Sequence, residues 1–592
     1  MFGLRLAGIA ACFLLAVAVV VAEPVARPGA NESKPVAAAK PATPAATQPA
    51  QPTAAPAAPA PLPMAVAQAS FFFMVRYDHW SESDEKSFGE FLTSIGDSEC
   101  RTVNSCLEGA GNPFRSSDPS GVYFRADCAD LPYVLRAYYA WKRGLPFSYE
   151  SNVEPRGRSR DIRYSRRGNE VTSRTDVLSG SVTGFGLMET LSDNISSAYY
   201  RVPPGLEEPY QPDHYSPAID PRSIKPGTIV YDPNGHLAIV YRIEADGRIH
   251  YMDAHPDNSL TRGLYDLRFV RASPAMSAGF KNWRPMKLVG YTRRADGALV
   301  GGHVVLSRNA DIANYSEEQY FGNAPHPWDD SQWRMGGFRI NGQLMDYYDY
   351  VRAKLAGGVL QFDPVKEVAD MVDSNCADLH YRADAITVAL AAGIQNQGQP
   401  DRLPANIYGT EGDWETYSTP SRDARLKTAF KELRDQTQRF VELNQRGDRR
   451  ILYRGSDLIG DLTATYQAHA AKCSIAYKKT DGAWITFGYE QARQRLFLMS
   501  FDPYHCVERR WGATEPAELA SCRDGSTKRA WYAAEQNLRN QIDRTYEAQM
   551  DFDLDELGRP GAGKGVAVAP DTDTLGYLIR LRGGASSRAS AF

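Results

Sequence analysis

Apolar positions along this chain repeat with two different periods. Over residues 84–95 and 131–143 they recur every three to four residues, which places them on one face of a helix. Leu131, Val134, Leu135 and Tyr138 form such a stripe. Between residues 228 and 253 the pattern changes. Segments 228–231, 236–243 and 248–253 read as strands, and Ala245-Asp246-Gly247 reads as a hairpin turn. Nearly every side chain from Leu237 to Ile243 is apolar, as in a strand buried on both faces. In the next strand Ile249, Tyr251, Asp253 and His255 share a face by period two. The helical period returns over 362–394, 423–445 and 529–550. The expected fold class is therefore α+β. A domain of helices and antiparallel sheet spans 69–301, and a largely helical C-terminal domain spans 302–557.

The ends have a different texture. Met1–Arg5 is a short basic start, Leu6–Ala22 is an unbroken apolar run, and Val20 and Ala22 are small residues suited to a cleavage site. Residues 1–22 read as a signal peptide. The same run sits at the lower length limit of a membrane span, so an uncleaved anchor is the alternative. Residues 23–68, mostly Ala and Pro with Thr, Gln and Val, cannot bury a core and read as a disordered tether. Residues 558–592, rich in Gly, Ala and Ser, read as a loose tail. The expected location is periplasmic or secreted, or anchored in the inner membrane facing the periplasm.

Cysteine usage fits an oxidising compartment. Of eight cysteines, Cys12 lies in the apolar run and seven follow it. An odd count in an exported chain leaves one thiol over. Cys100 with Cys106 and Cys506 with Cys522 are close in sequence, which leaves Cys376 with Cys473 and sets Cys128 apart. Other connectivities stay open at this point. The motif Cys-Ala-Asp-Leu occurs at Cys128 and again at Cys376, but the second copy lies inside a long helical pattern and reads as structural.

Composition excludes more than it suggests. A formal charge of -4 gives no case for nucleic-acid binding. The ten histidines are scattered, and no His-Glu-x-x-His pair occurs. Gly558–Gly565 lacks the Ser or Thr that a phosphate loop needs after Lys564, and Asp551–Glu556 has Glu556 where a calcium loop needs Gly. No metal or cofactor is expected. Arg156, Arg158, Arg160, Arg163, Arg166, Arg167 and Arg174 form a basic cluster that reads either as an anion-gripping lid or as a solvated loop. Trp328, Trp333, Tyr347, Tyr348 and Tyr350 read as core packing or as a ligand groove.

The candidate catalytic residues are Cys128, His236 and Asp253. Cys128 precedes a helix whose N-terminus favours a thiolate, and Pro132 is tolerated in that helix's first turn. His236 begins an apolar strand after the turn signals Pro233 and Gly235. Asp253 is placed to orient the imidazole and fix its tautomer.

The stretch Gly235 to His255 resembles the His hairpin of the CHAP family of cysteine- and histidine-dependent amidohydrolases and peptidases. Residues 226–236 and the Ala-Asp-Cys-Ala-Asp-Leu segment around Cys128 resemble the corresponding motifs of NlpC-like cell-wall endopeptidases. The resemblance covers about residues 100–265. It implies a papain-like fold, His236 as base, Asp253 as orienting acid and Cys128 as nucleophile. It also implies an amide substrate, a peptidoglycan peptide or a protein, without a cofactor. The chain departs from the pattern in several places. Ala129 and Asp130 replace Ser and Gly, and His255 stands where Asn is usual. Phe114 stands near a Tyr that helps the oxyanion site, for which Tyr123 is the candidate substitute. The interval from Cys128 to His236 is long. Two alternatives follow: a transpeptidase or transglutaminase-like acyl transfer, and a non-catalytic envelope scaffold that keeps the fold.

Overall fold

The computed structural model describes residues 71–158, 161–323, 330–404, 412–542, 550–559 and 565–589. The expected signal peptide and tether, and also Arg160 and Trp328, lie outside the described residues. The first helix, α1 (Glu82–Gly96), is held at its start by a reciprocal cap between Ser81 and Asp84 and turns Phe88, Phe91, Leu92 and Ile95 inward. Helix α2 (Leu131–Arg143) has Pro132 in its first turn and ends at Gly144, whose φ of 69° suits a residue without a Cβ.

The sequence suggests an amphipathic α2, yet every residue from Leu131 to Lys142 is buried. Its two buried charges are neutralised locally, which permits this. Arg136 pairs with Glu85 at 2.5 Å and lies 3.2 Å over the Trp80 ring. Lys142 pairs with Asp118 at 2.6 Å.

An antiparallel hairpin, β1 (Phe147–Pro155) and β2 (Asn169–Val177), and helix α3 (Gly184–Asn194) follow. The main sheet comprises β3 (His214–Tyr215), β4 (Ile229–Asp232), β5 (His236–Ile243), β6 (Ile249–Ala254), β7 (Leu260–Leu264) and β8 (Gly279–Trp283). Its order is β3-β8-β4-β5-β6-β7, and every ladder in it is antiparallel. The fold is thus mixed α+β with antiparallel sheets.

Two cores meet on strand β5. Leu237, Ile239 and Tyr241 join the core that contains α1 and α2. Ala238 and Val240, with Ile249 and Tyr251 of β6, join a second core with Tyr347, Tyr350, Val351 and Leu355 of α4 (Tyr347–Leu355). The continuous apolar run of β5 has this double burial as its cause. Tyr347 and Tyr350 are core residues here.

A third core gathers α5 (Pro364–Ala391), α6 (Pro420–Gln445), α7 (Leu458–Ala470) and the hairpin of β9 (Ser474–Lys478) and β10 (Trp484–Gly488). Helix α5 also touches β7. Within the stretch read as a loose tail, α8 (Thr574–Ala589) is helical and packs on α7, with Leu578 fully buried. The expected helix over 529–550 is interrupted: Ser526–Ala534 and Gln536–Asn540 are separate, and Glu535 between them is buried beside His505 and Arg539.

The described residues cluster as one compact unit. Three disulfides, Cys100–Cys106, Cys376–Cys473 and Cys506–Cys522, pair six cysteines, and Cys128 is free. Among the described residues no helix is long and apolar enough to cross a membrane.

Candidate active site

Cys128 sits in a clamped loop just before α2. Asp127 Oδ1 accepts the N–H of Ala129 (2.7 Å) and of Asp130 (3.3 Å), and Asp130 Oδ1 accepts the N–H of Asp127 (2.7 Å). The Tyr200 hydroxyl donates to Ala129 O at 2.7 Å. Among the described residues the Cys128 N–H itself has no hydrogen bond. The thiol donates to Gly235 O at 3.8 Å.

The electrostatics of this loop run against the thiolate expected at a helix start. Burial first, then Asp127, and also Asp253 and Asp130, push the thiol well above its ordinary value. Burial and Asp127 in turn push Asp130 up to about 10. These surroundings favour the protonated thiol, while the Leu237 N–H works the other way and lowers the thiol pKa.

His236 opens β5 because Gly235 turns the chain. Gly235 has φ +90°, and its N–H closes the turn on Asp232 O at 3.0 Å. His236 Nε2 bonds Asp253 Oδ2 at 2.7 Å. The other carboxylate oxygen accepts from the Thr261 hydroxyl, and Thr261 Oγ1 accepts from His255 Nε2 at 3.0 Å.

Each hydrogen of this chain has one consistent direction, so His236 carries its proton on Nε2 and presents an unprotonated Nδ1. Among the described residues Nδ1 makes no hydrogen bond. Burial, followed by Arg425, lowers the His236 pKa against the pull of Asp253, which favours the neutral ring. Burial lowers His255 to about 3. Burial alone would raise Asp253, but His255, the His236 hydrogen bond and Arg425 hold its carboxyl well below the usual carboxylate range.

Cys128, His236 and Asp253 line one cavity of about 220 Å³. No hydrogen bond joins the thiol to the ring; the sulfur bonds the carbonyl one residue before it. The structure thus brings the three sequence-derived residues to one cavity, with the acid–imidazole bond formed and the thiol–imidazole bond not formed.

Other expectations fare differently. Phe114 is buried against Phe91 and Tyr138, Tyr123 is 55 % exposed, and neither lines the cavity. The described members of the arginine cluster are placed differently. Arg163 reaches the cavity, whereas Arg174 ties β2 to the buried Asp213 at 2.5 Å.

Sequence reasoning missed the part of the lining that comes from α5 and α6: Asp378, Tyr381, Arg382, Arg422, Arg425 and Leu426. It also missed Thr261. A signal for the arginines existed: Arg422 and Arg425 follow Pro420 at helical spacing, in the first two turns of a helix, where cations are disfavoured.

Among the described residues three groups bring together side chains of metal-donor type, and two of them hold disulfide-bonded cysteines, which leaves a third. Asp502, His505 and Glu535 are buried, with ligand atoms within 4.8 Å of one another. Burial opposes the His505 charge, but Asp502, Asp524 and Glu535 raise its pKa to about 9. The imidazolium, with Arg509 and Arg539 alongside, supplies the positive charge these acids need.

In comparisons with known proteins the chain matches no family model, no curated protein and no solved structure. The chemistry of the site therefore rests on its own geometry. It offers a free thiol, an imidazole oriented by a carboxylate, and, among the described residues, an unpartnered backbone N–H on Cys128 itself.

Proposed function

We propose that this chain is an exported thiol hydrolase that cleaves an amide bond through Cys128, His236 and Asp253, on an α+β framework of papain-like type. One observation carries the reading. The single free cysteine among the described residues shares a cavity with an imidazole whose Nε2 is bound by Asp253 and whose Nδ1 is left open.

In the proposed reaction a side-chain rotation brings the thiol to Nδ1. His236 takes the thiol proton as sulfur attacks the carbonyl carbon and the C–S bond forms. The carbonyl electrons move to oxygen, which accepts a hydrogen bond from the Cys128 N–H. Collapse breaks the C–N bond, and His236 returns the proton to the departing amine. Water, deprotonated by His236, then attacks the thioester carbon; the C–S bond breaks, the acid leaves, and the proton on His236 returns to the Cys128 sulfur. The neutral resting state of both groups makes this general-base chemistry rather than attack by a preformed thiolate–imidazolium pair.

The sequence resemblance and the expected signal and tether point to peptidoglycan peptides as substrate. An amine replacing water in the last step would make the same site an acyl transferase. The raised thiol pKa favours a second reading, a non-catalytic scaffold.

The test is incubation of the full chain with isolated cell-wall peptides, read by mass spectrometry. Hydrolysis products are expected with the parent, none with Cys128→Ala, and a conjugate instead of the acid on adding glycinamide if acyl transfer operates. Equal products from Cys128→Ala would eliminate the nucleophile, and no products from the parent would favour the scaffold.

A further inference from the structure

Among the described residues six arginines line the cavity, and four are already committed. Arg163 pairs with Glu415 at 3.5 Å, Arg268 with Asp378 at 3.1 Å, and Arg382 with Asp423 at 2.8 Å. Arg262 donates to the carbonyls of Gly96, Cys100 and Ile95. The remaining two, Arg422 and Arg425, donate no hydrogen bond among the described residues. Arg425 has Asp253 Oδ2 at 3.7 Å, an oxygen already bound by His236. Among the described residues Arg422 makes no ion pair within 4 Å. Asp257 feels its charge, but Asp257 Oδ1 is occupied by the Ser259 N–H and hydroxyl.

Both side chains are half-buried and lie in the first two turns of the 26-residue α6, where the helix dipole disfavours cations and favours an anion. Arg422 is also held in place. Its guanidinium carbon lies 4.5 Å over the Tyr381 ring, Tyr381 lies 4.4 Å from His255, and His255 stacks on His236 at 5.8 Å. A column of rings thus links the proposed catalytic base to a fork of unused N–H donors.

We infer that this cavity recognises a carboxylate on its substrate, gripped by Arg422 and Arg425 close to the scissile amide. The planar guanidinium fork matches a carboxylate's two oxygens, and a desolvated pair of this kind is strong. The substrate is then a peptide carrying an acidic side chain or a free C-terminus beside the bond cut. The word substrate rests on the thiol-hydrolase reading; the anion site does not.

The experiment uses the full chain with Cys128→Ala, so that binding is measured without turnover. Calorimetry compares three probes: acetyl-Ala-Gln-amide, acetyl-Ala-Glu-amide, and acetyl-Ala-Gln with a free C-terminus. At least one carboxylate probe is expected to bind tenfold or more tightly than the neutral one, with affinity falling as salt rises. Which probe is preferred identifies the source of the carboxylate. Arg422→Met should erase the preference and Arg422→Lys should keep part of it. Three probes binding alike, or none binding, overturns the proposal, as does a preference that survives in folded Arg422→Met and Arg425→Met proteins. Should either variant fail to fold, the ranking of the probes on the Cys128→Ala chain and its salt dependence decide alone. Loss of the hydrolase reading, through unchanged turnover by Cys128→Ala, would leave this binding result standing.

Discussion

The buried ion pair Arg382–Asp423 is one of several ties between the rest of the molecule and the helix that carries Arg422 and Arg425, and Asp423→Asn tests what that pair is worth. Asp423 accepts from Arg382 Nε at 2.8 Å and Nη2 at 2.9 Å, and the two side chains are 2 % and 1 % exposed. Arg382 also donates to Ser500 O at 3.0 Å and lies 5.1 Å from the Trp511 ring. Arg510 is buried close by, its pKa brought down to about 9 by burial and by Arg382, with Asp423 among the charges that oppose the fall.

The substitution keeps shape but removes the only full counter-charge bonded to Arg382 among the described residues. Stranding one partner of a buried pair costs about 3–5 kcal/mol, against a total stability of about 5–15 kcal/mol for a folded protein. Urea unfolding at 25 °C, followed by Trp fluorescence and far-UV circular dichroism, measures the loss as a lower midpoint at constant slope. The double variant Arg382→Met, Asp423→Leu should recover at least about half of that loss, because no charge is then left stranded. A loss under about 1 kcal/mol for Asp423→Asn would refute the reasoning.

Three other outcomes are expected. His214 is buried with neither ring nitrogen hydrogen-bonded among the described residues, and burial followed by Lys281 and nearby arginines lowers its pKa well below the ordinary value. The unfolded chain binds a proton there first, so its contribution is full above about pH 6.5 and falls by up to about 1.4 kcal/mol per pH unit below it; His214→Phe should flatten that slope in urea titrations at successive pH values. Replacing Cys376 and Cys473 by Ser opens a bridge of sequence separation 97 and should cost about 4 kcal/mol, seen as a lower unfolding midpoint. Gly247→Ala should cost over about 2 kcal/mol by the same assay, because Gly247 has φ +85° and a Cβ there would lie 2.0 Å from Arg352 O.

What could be read from the sequence was local. Gly235 and Gly247 bracket β5, and its apolar run gives its bounds to the residue. Pro132 and Gly144 do the same for α2. Asp253 follows from period two along β6. What could not be read was non-local. The apolar run of β5 announces that both faces need a cover, but nothing local names α4 as the second one. The bond from Thr261 to Asp253 depends on the β6–β7 register. The arginines beside the site lie on a helix far along the chain, in a region that reads by itself as a separate domain. The stripe on α2 misleads because Arg136 and Lys142 look like a solvent face until Glu85 and Asp118 are placed against them. The acid state of the thiol was hidden for the same reason: the helix start is visible in the sequence, whereas its burial beside Asp127 is not.

The central claim is that a neutral His236 deprotonates a neutral Cys128. Acylation by p-nitrophenyl acetate tests it most directly, followed as first-turnover release of p-nitrophenol over about pH 5 to 9 with Cys128→Ala as the blank. The rate should climb as the ring loses its proton, with its midpoint below the ordinary histidine value of about 6.5, and then level off. His236→Ala should lose the plateau. A rate that keeps climbing to the alkaline limit and is unchanged in His236→Ala would contradict the account.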